Sequence, residues 1–331
     1  MKKYSFTIFI PVYNGAKTIK KTLLSVFSQD YSNFKVIIQD NNSTDNTIDV
    51  VKSFNHSKIK IFKNKTSLGY NGNLNAGIKN CHDDIVLLLA ADDILSKNAL
   101  SLYNKAFNLS KNIGAVTRPY FWFEKDIDIP VRTKKQLNSK KDTIVKITDN
   151  PKKVIRVFET LDQLSGLAMK LKYIDILFGK EDWISHAYPF VSIFTKHPIV
   201  YLKDYTTAVY IGSSATRSNI YQKSPISCWI NMLNLTITRS NQQIIKKKII
   251  KDFIATNYIG ILQIKNYGSC LSLYREIYFL LKYRPINILN FKFWLFTLFT
   301  VFTPKFISKN LTDWIKEKIN SKLINQISFP K

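Results

Sequence analysis

Over its first hundred residues this 331-residue chain alternates short apolar runs with segments of helical spacing, a pattern that restricts the fold more than any other feature. Ser5 to Ile10 reads as a first strand, and Ile19, Leu23, Val26 and Phe27 follow at the spacing of one helix face. Lys35 to Gln39 supplies a second strand, and Ser43 can cap a helix carrying Ile48, Val50 and Val51. Lys58 to Phe62 fits a third strand, and the stretch from Gly69 to Gly77 leads into or forms part of a helix. Ile85 to Leu89 is a buried strand, after which Ser96 opens a helix with Leu100, Tyr103 and Phe107. Strands alternating with helices predict an α/β fold with a mostly parallel, doubly wound sheet.

Three of these strands are followed at once by a polar cluster. The clusters are Pro11-Val12-Tyr13-Asn14, Asp40-Asn41-Asn42-Ser43-Thr44-Asp45 and Ala90-Ala91-Asp92-Asp93. Because ligands of open α/β sheets bind outside the carboxyl ends of the strands, the clusters are expected to meet at one site. Pro11 to Asn14 offers backbone amides and a polar side chain to a base or ribose. Asp40 can accept hydrogen bonds from a nucleobase N–H or from ribose hydroxyls. Asp92 and Asp93 are hard oxygen ligands, suited to Mg²⁺ or Mn²⁺ held jointly with substrate phosphates. Such a cation neutralises charge on a departing pyrophosphate. Taken singly, each cluster is equally a turn or a helix cap, and it is their ordered joint occurrence that carries the inference.

Beyond Gly114 the pattern changes. Val116 to Phe123 looks like another strand, Glu124 to Asn150 like a charged loop or excursion, Pro151 to Phe178 like helix, and Pro198 to Ile211 like a return to strand. From Ile226 the chain reads as helical, basic and aromatic. The formal charge of +26 predicts attraction to phosphates in nucleic acid, acidic lipid or a pyrophosphate-bearing substrate. Abundant Lys, Asn and Ile also fit a general compositional bias. No nucleic-acid-binding module is recognisable, so no nucleic-acid partner is expected. Cys81, Cys228 and Cys270 are widely spaced and form no C-x-x-C pair, which fits unpaired core thiols in a reducing compartment. The apolar stretch Phe6 to Val12 reads as strand rather than signal peptide. The longest apolar stretch, Phe291 to Pro304, falls short of the roughly 20 residues of a spanning helix.

The ordered clusters resemble the family 2 glycosyltransferases, which have the A-type nucleotide-sugar transferase (GT-A) fold. Thr7 to Asn14 is similar to the family's opening strand and turn, and Thr22-Leu23-Leu24-Ser25-Val26-Phe27-Ser28-Gln29 to its first helix. Gln39 to Thr47 resembles its D-x-x-S-x-D-x-T segment, whose first acidic residue contacts the base. Asn73-Leu74-Asn75-Ala76-Gly77-Ile78 is similar to the element preceding its metal strand. The family's acidic motif often reads D-A-D-D, and here its first position is Ala90, which leaves the division of labour between Asp92 and Asp93 open.

The resemblance implies an inverting transfer from a nucleotide diphosphate sugar, a UDP-sugar by preference, to a saccharide or lipid-linked acceptor of bacterial cell-surface polysaccharide type. It implies a donor site of Pro11, Val12, Tyr13, Asn14, Asp40, Ser43, Asn73, Asp92 and Arg217, with Asp93, Asp92 and His186 toward a divalent cation. The family's E-D-like pair matches Glu181-Asp182, where Asp182 would be the base and Glu181 its competitor. His186, four residues beyond Asp182, shares its face if that segment is helical, and Arg217 is a candidate phosphate clamp. The implied division is 1–115 for the nucleotide-sugar half, 116–225 for the acceptor half with the base, and 226–331 for a helical extension. Tyr278 to Leu281 and Phe291 to Phe302, flanked by cations, suit an anionic membrane surface or a packed subdomain. The expected location is cytoplasmic, peripheral at the inner face of the cell membrane. A degenerate transferase fold serving as a membrane- or polyanion-binding module is the alternative. Nucleotidyl transfer is disfavoured, since Pro11 to Gly15 supplies no Gly-rich, cationic phosphate loop.

Overall fold

The computed structural model describes residues 1–181, 184–212, 221, 223–310 and 329. The first half runs β1 (Phe6–Val12), α1 (Ile19–Phe27), β2 (Phe34–Asp40), α2 (Thr47–Lys52), β3 (Ile59–Lys63), α3 (Gly69–Ile78), β4 (Ile85–Leu88), β5 (Ile94–Leu95) and α4 (Ala99–Phe107). It continues with β6 (Ala115–Thr117), β7 (Phe121–Phe123), β8 (Arg132–Thr133), β9 (Thr143–Val145), α5 (Pro151–Phe158), β10 (Ala168–Lys170), α6 (Ala187–Lys196), β11 (Ile199–Tyr201) and β12 (Thr207–Tyr210). Among the described residues, helices α7 (Pro225–Thr236), α8 (Gln243–Asp252), α9 (Ile259–Tyr267), α10 (Cys270–Tyr283) and α11 (Phe291–Phe302) follow.

Among the described residues the strands form an eight-stranded sheet, β3-β2-β1-β4-β10-β6-β11-β9, and a four-stranded sheet, β5-β12-β7-β8. The first four strands of the large sheet are parallel, as the alternation predicts. Successive side chains of a strand point to opposite faces, and both faces here are covered. Phe9, Ile37, Val86 and Leu88 pack with α3, α5 and α6 on one side, whereas Ile8, Ile10, Val36, Ile38, Ile85 and Leu87 pack with α1 and α4 on the other. This explains the near-continuous apolar runs of these strands. Pro11 lies in β1 beyond the last register pair with β4, Phe9–Leu88, where a missing N–H disrupts no bond on that side. The chain passes from β1 to β2 on one flank and returns to β4 on the other, so the switch point lies between β1 and β4.

The second half departs from the sequence reading. Val116 to Phe123 is two strands in two sheets, β6 and β7, separated at Arg118-Pro119, where proline forbids a continuous ladder. The supposed excursion at Glu124 to Asn150 contains β8, antiparallel to β7, and β9, the edge of the large sheet, antiparallel to β11. Helix stops at Phe158 in the stretch to Phe178, and β10 then inserts antiparallel between β4 and β6. Pro198 to Ile211 likewise divides into β11 and β12. Strands of two to four residues are too short for a period to register, and only their neighbours define them. Ser43 caps no helix, since Asn46 precedes α2, and α4 begins at Ala99 after Asn98 rather than at Ser96. Cys81 and Cys228 are buried free thiols, whereas Cys270 is exposed. The helices from α7 onward join the core of α5 and α6, with the Phe158 and Trp229 rings 6.3 Å apart.

Candidate functional site

The loops after β1 and β2 are stitched together by side chains of the second. Asn14 N donates to Ser43 Oγ at 2.9 Å, Gly15 N to Thr47 Oγ1 at 2.8 Å, and Ala16 N to Asp45 Oδ2 at 3.2 Å. In return Thr44 N donates to Asn14 Oδ1 at 2.8 Å. Asn14 takes φ 52°, the left-handed region that asparagine tolerates. Of the loop amides that sequence offered to a ligand, that of Asn14 is therefore engaged within the protein. What the first loop presents outward is Tyr13, 54% exposed, and Asn14, also exposed, beside half-buried Pro11, while Val12 is buried.

Asp40 is fully buried at the end of β2. Its carboxylate accepts from Ser43 N at 3.1 and 3.2 Å and from Ser43 Oγ at 2.5 Å, with Lys63 Nζ at 3.8 Å. Ser43 thus orients Asp40 and anchors Asn14 at once. Asn73 is buried in α3 with both ends of its amide used: Nδ2 donates to Gln39 O at 2.9 Å and Oδ1 accepts from Asn64 Nδ2 at 2.8 Å. It braces the end of β2 from behind.

The acidic turn after β4 holds two unlike carboxylates. Asp92 is half-buried at the turn, whereas Asp93 is buried. Asp93 Oδ2 accepts from Ser165 Oγ at 2.5 Å and Oδ1 from Tyr210 N at 2.8 Å, which ties the turn to the segment before β10 and to β12. Burial, then the neighbouring Asp92 charge, pushes the Asp93 carboxyl well up, against the pull of Ser165, the Tyr210 amide and Arg118. Ser165 Oγ also accepts from Ala90 N at 2.8 Å. Behind it, fully buried Arg118 donates to Thr160 O at 3.2 Å, Gln163 O at 3.1 Å and Ser165 O. Ser165, Arg118 and the Tyr210 amide were not found from sequence. They lie 25 to 117 residues from Asp93 and form no local pattern with it.

His186 stands just before α6 and is buried. Its Nε2 lies 2.9 Å from Leu161 O, which can only accept, so Nε2 carries the proton and Nδ1 accepts from Tyr70 OH at 3.1 Å. Burial pulls its pKa down to about 4, so the ring is neutral near pH 7. Both nitrogens are engaged, and no group of three or more His, Cys, Asp or Glu side chains able to hold a metal exists among the described residues. The expected set of Asp92, Asp93 and His186 is thus not assembled as a metal cage. Half-exposed Asp92 is the carboxylate that the turn presents at its surface, a hard oxygen ligand by type.

The chain on either side of the Glu181-Asp182 pair is held together at Gly179 and Ser185. Gly179 N donates to Ser185 O at 3.2 Å and Ser185 Oγ to Gly179 O at 2.7 Å. Asn75 of α3 grips the preceding residue through two 3.0 Å bonds with the Phe178 backbone. Glu181 is drawn aside, accepting from Tyr188 OH and, at 3.5 Å, from Asn231 Nδ2 of α7. Asp182 and Arg217 lie outside the described residues.

Residues 7–159 match the model of glycosyl transferase family 2. The chain is 33% identical over 102 residues to the UDP-Glc:alpha-D-GlcNAc-diphosphoundecaprenol beta-1,3-glucosyltransferase WfgD of Escherichia coli, a match covering 31% of this chain and 40% of that protein. Residues 1–349 of S. aureus TarS share the fold at TM-score 0.64 and 17% identity, covering 86% of this chain and 83% of that one. TarS has also been solved in complex with UDP-GlcNAc. The mannosyltransferase PcManGT of Pyrobaculum calidifontis, in complex with GDP-Man and Mn²⁺, superposes at TM-score 0.54 and 15% identity, covering 95% of this chain and 88% of that one. The chain thus aligns with well under two thirds of the first curated relative and with most of each structural one. Residues 7–159 thus carry a domain that matches glycosyl transferase family 2, and over that stretch the chain is similar to the family's members.

Proposed function

We propose that this protein transfers a sugar, with inversion, from a UDP-sugar to a sugar hydroxyl of a cell-surface polysaccharide or its lipid-linked precursor. The observation that carries the reading is the junction of three strand-end loops at the β1/β4 switch point, with exposed Tyr13 and half-exposed Asp92 at its surface. The WfgD relative, which by its name takes UDP-Glc and a diphosphoundecaprenol-linked acceptor, supports this choice of substrates.

In this reading Pro11, Tyr13 and Asn14 face the base and ribose, buried Val12, Asp40 and Ser43 shape the site behind them, and Asn73 braces the end of β2. Asp92 contributes a half-exposed carboxylate for Mn²⁺ or Mg²⁺, and Asp93 fixes the turn from inside the protein. A bound divalent cation would supply charge neutralisation for the leaving diphosphate. Arg217 adds a positive charge to the phosphates. The acceptor hydroxyl oxygen attacks the anomeric carbon, its proton passes to the Asp182 carboxylate, and the bond from that carbon to the diphosphate oxygen breaks. A carboxylate suits this task because the hydroxyl becomes acidic only as the new bond forms. Glu181, held by Tyr188 and Asn231, is the positioning member of the pair.

Residues 1–115 form the donor half, 116–225 the acceptor half and 226–331 a helical extension. The protein acts peripherally at the cytoplasmic face of the membrane, a location supported by the diphosphoundecaprenol-linked acceptor in the name of the WfgD relative. The competing reading as a degenerate binding module gains no support from the relatives, which are named as transferases.

A thermal-shift panel of UDP, dTDP, GDP and CMP with and without Mn²⁺ tests the proposal. Metal-dependent stabilisation by UDP alone is the expected result. Stabilisation by none of the nucleotides would overturn it.

A further inference from the structure

Helix α11 is built inside out. Its buried positions include Thr297 and Thr300, whose hydroxyls have no hydrogen-bond partner, beside Phe293, which packs edge-on against Tyr258 at 5.7 Å. Its outward positions are Phe291, Trp294, Leu295, Leu298 and Phe302, at the i, i+3, i+4, i+7, i+11 spacing of one helix face, with Phe291 77% and Phe302 78% exposed. A helix facing water carries the reverse pattern. Burying two unpaired hydroxyls while displaying three aromatic and two leucine side chains is unfavourable in water on both faces.

The apolar face does not end with α11. Leu271, Tyr274 and Tyr278 are exposed along α10 at i, i+3, i+7, and Ile286, Ile288 and Leu289 on the turn between the two helices are exposed as well. The surrounding charge has one sign. Residues 259–310 contain seven Lys and Arg and a single acid, Glu276, which is buried. Lys282, Lys292 and Lys305 border the apolar face in sequence. At 12 residues α11 is about 18 Å long, and no helix among the described residues is long and apolar enough to cross a membrane.

We infer that the outward face of α10, the following turn and α11 docks on an anionic phospholipid bilayer, lying in the plane of the interface. Apolar side chains enter the headgroup boundary, Trp294 and the tyrosines sit at the level of the headgroups, and the flanking lysines meet lipid phosphates. A cationic rim without exposed acid favours this occupant over a second copy of the chain, which would bring like charges together. The inference extends the peripheral location proposed above and is independent of the donor site.

The test is co-sedimentation of the full chain with vesicles of phosphatidylglycerol plus phosphatidylcholine, and of phosphatidylcholine alone. The comparison is between wild type and the Leu295→Ser/Leu298→Ser/Phe302→Ser variant, whose positions all face outward. Wild type is expected to bind the anionic vesicles, and the variant at least about tenfold more weakly. UDP-dependent stabilisation should be the same in both proteins, which separates failure of this inference from failure of the donor reading. Equal vesicle binding by the two proteins, or none by wild type, overturns it. So does a concentration-dependent wild-type dimer that the substitutions dissolve, since that would assign the face to a second copy.

Discussion

Ser165 Oγ lies 2.5 Å from Asp93 Oδ2 across 72 residues of sequence, and this one hydroxyl also accepts the amide of Ala90. It therefore joins both ends of the acidic turn to the chain segment that enters the middle of the sheet. Ser165→Ala leaves a buried carboxylate oxygen and a backbone amide short of a partner, a loss of about 1–3 kcal/mol. Urea unfolding should show that loss, and Mn²⁺ titration in the presence of UDP should show weaker metal binding. Wild-type values in both measurements would remove Ser165 from any role at the turn.

The two carboxylates of the turn should separate under the same conservative change. Asp92→Asn alters a half-exposed group, so stability is expected to stay within about 0.5 kcal/mol while the Mn²⁺-dependent part of UDP stabilisation disappears. Asp93→Asn places an amide NH₂ or a weaker acceptor where Ser165 and the Tyr210 amide both donate. Its expected cost is about 2–3 kcal/mol in folding. The pair of melting curves, with and without metal, checks both statements, and equal behaviour of the two variants would contradict the division.

Gly166 is the residue through which Ser165 reaches its place. It has φ +84°, and a Cβ there would meet Thr207 Oγ1 at 2.3 Å, Arg118 Nε at 2.7 Å and Tyr103 OH at 2.9 Å. Tyr103 OH donates to its carbonyl at 2.6 Å, so the ring has little room to retreat. Gly166→Ala combines backbone strain with overpacking and should lose at least about 3 kcal/mol, or fail to accumulate folded. Near-wild-type urea unfolding of this variant would show that the segment yields easily.

The first half of the chain was legible in sequence because its signals are local. Strand runs of four to seven residues ending in polar clusters announced β1, β2 and β4, and topology alone brought their ends together. What sequence could not assign was which polar groups face a ligand and which face each other. Asn14 and Ser43 look equally available as text, yet each is engaged by the neighbouring loop. His186 read as a ligand candidate because spacing says nothing of Leu161 O and Tyr70 OH, which occupy its nitrogens. The antiparallel strand β10 was missed since its three residues are strand only by virtue of β4 and β6. The inside-out character of α11 was hidden for a related reason: both of its faces are rich in apolar residues, and only packing tells which one is inside.

Glu276 supplies a pH dependence whose direction is fixed by its surroundings. Burial raises its carboxyl from 4.5 to about 7, against the bonds from Ser224 Oγ and the Ile226 amide and the charge of Arg275. The folded state then holds a proton that the unfolded chain has released between those two values, so stability is fullest below pH 4.5 and falls as pH rises through about 7. His186, with its pKa pulled to about 4, acts in the opposite sense, its contribution lost as pH falls from 6.5 through 4. Glu276→Gln isolates the first effect, because the amide oxygen can still accept from the start of α7 and no charge is buried at any pH. The amide NH₂ facing Ser224 Oγ adds a cost that does not change with pH, so relative to wild type the variant should do better at about pH 8 than at about pH 5 by on the order of 1–3 kcal/mol, measured by urea unfolding. A gain of the same size at both pH values would mean that packing, not ionisation, sets the stability of this junction between α7 and α10.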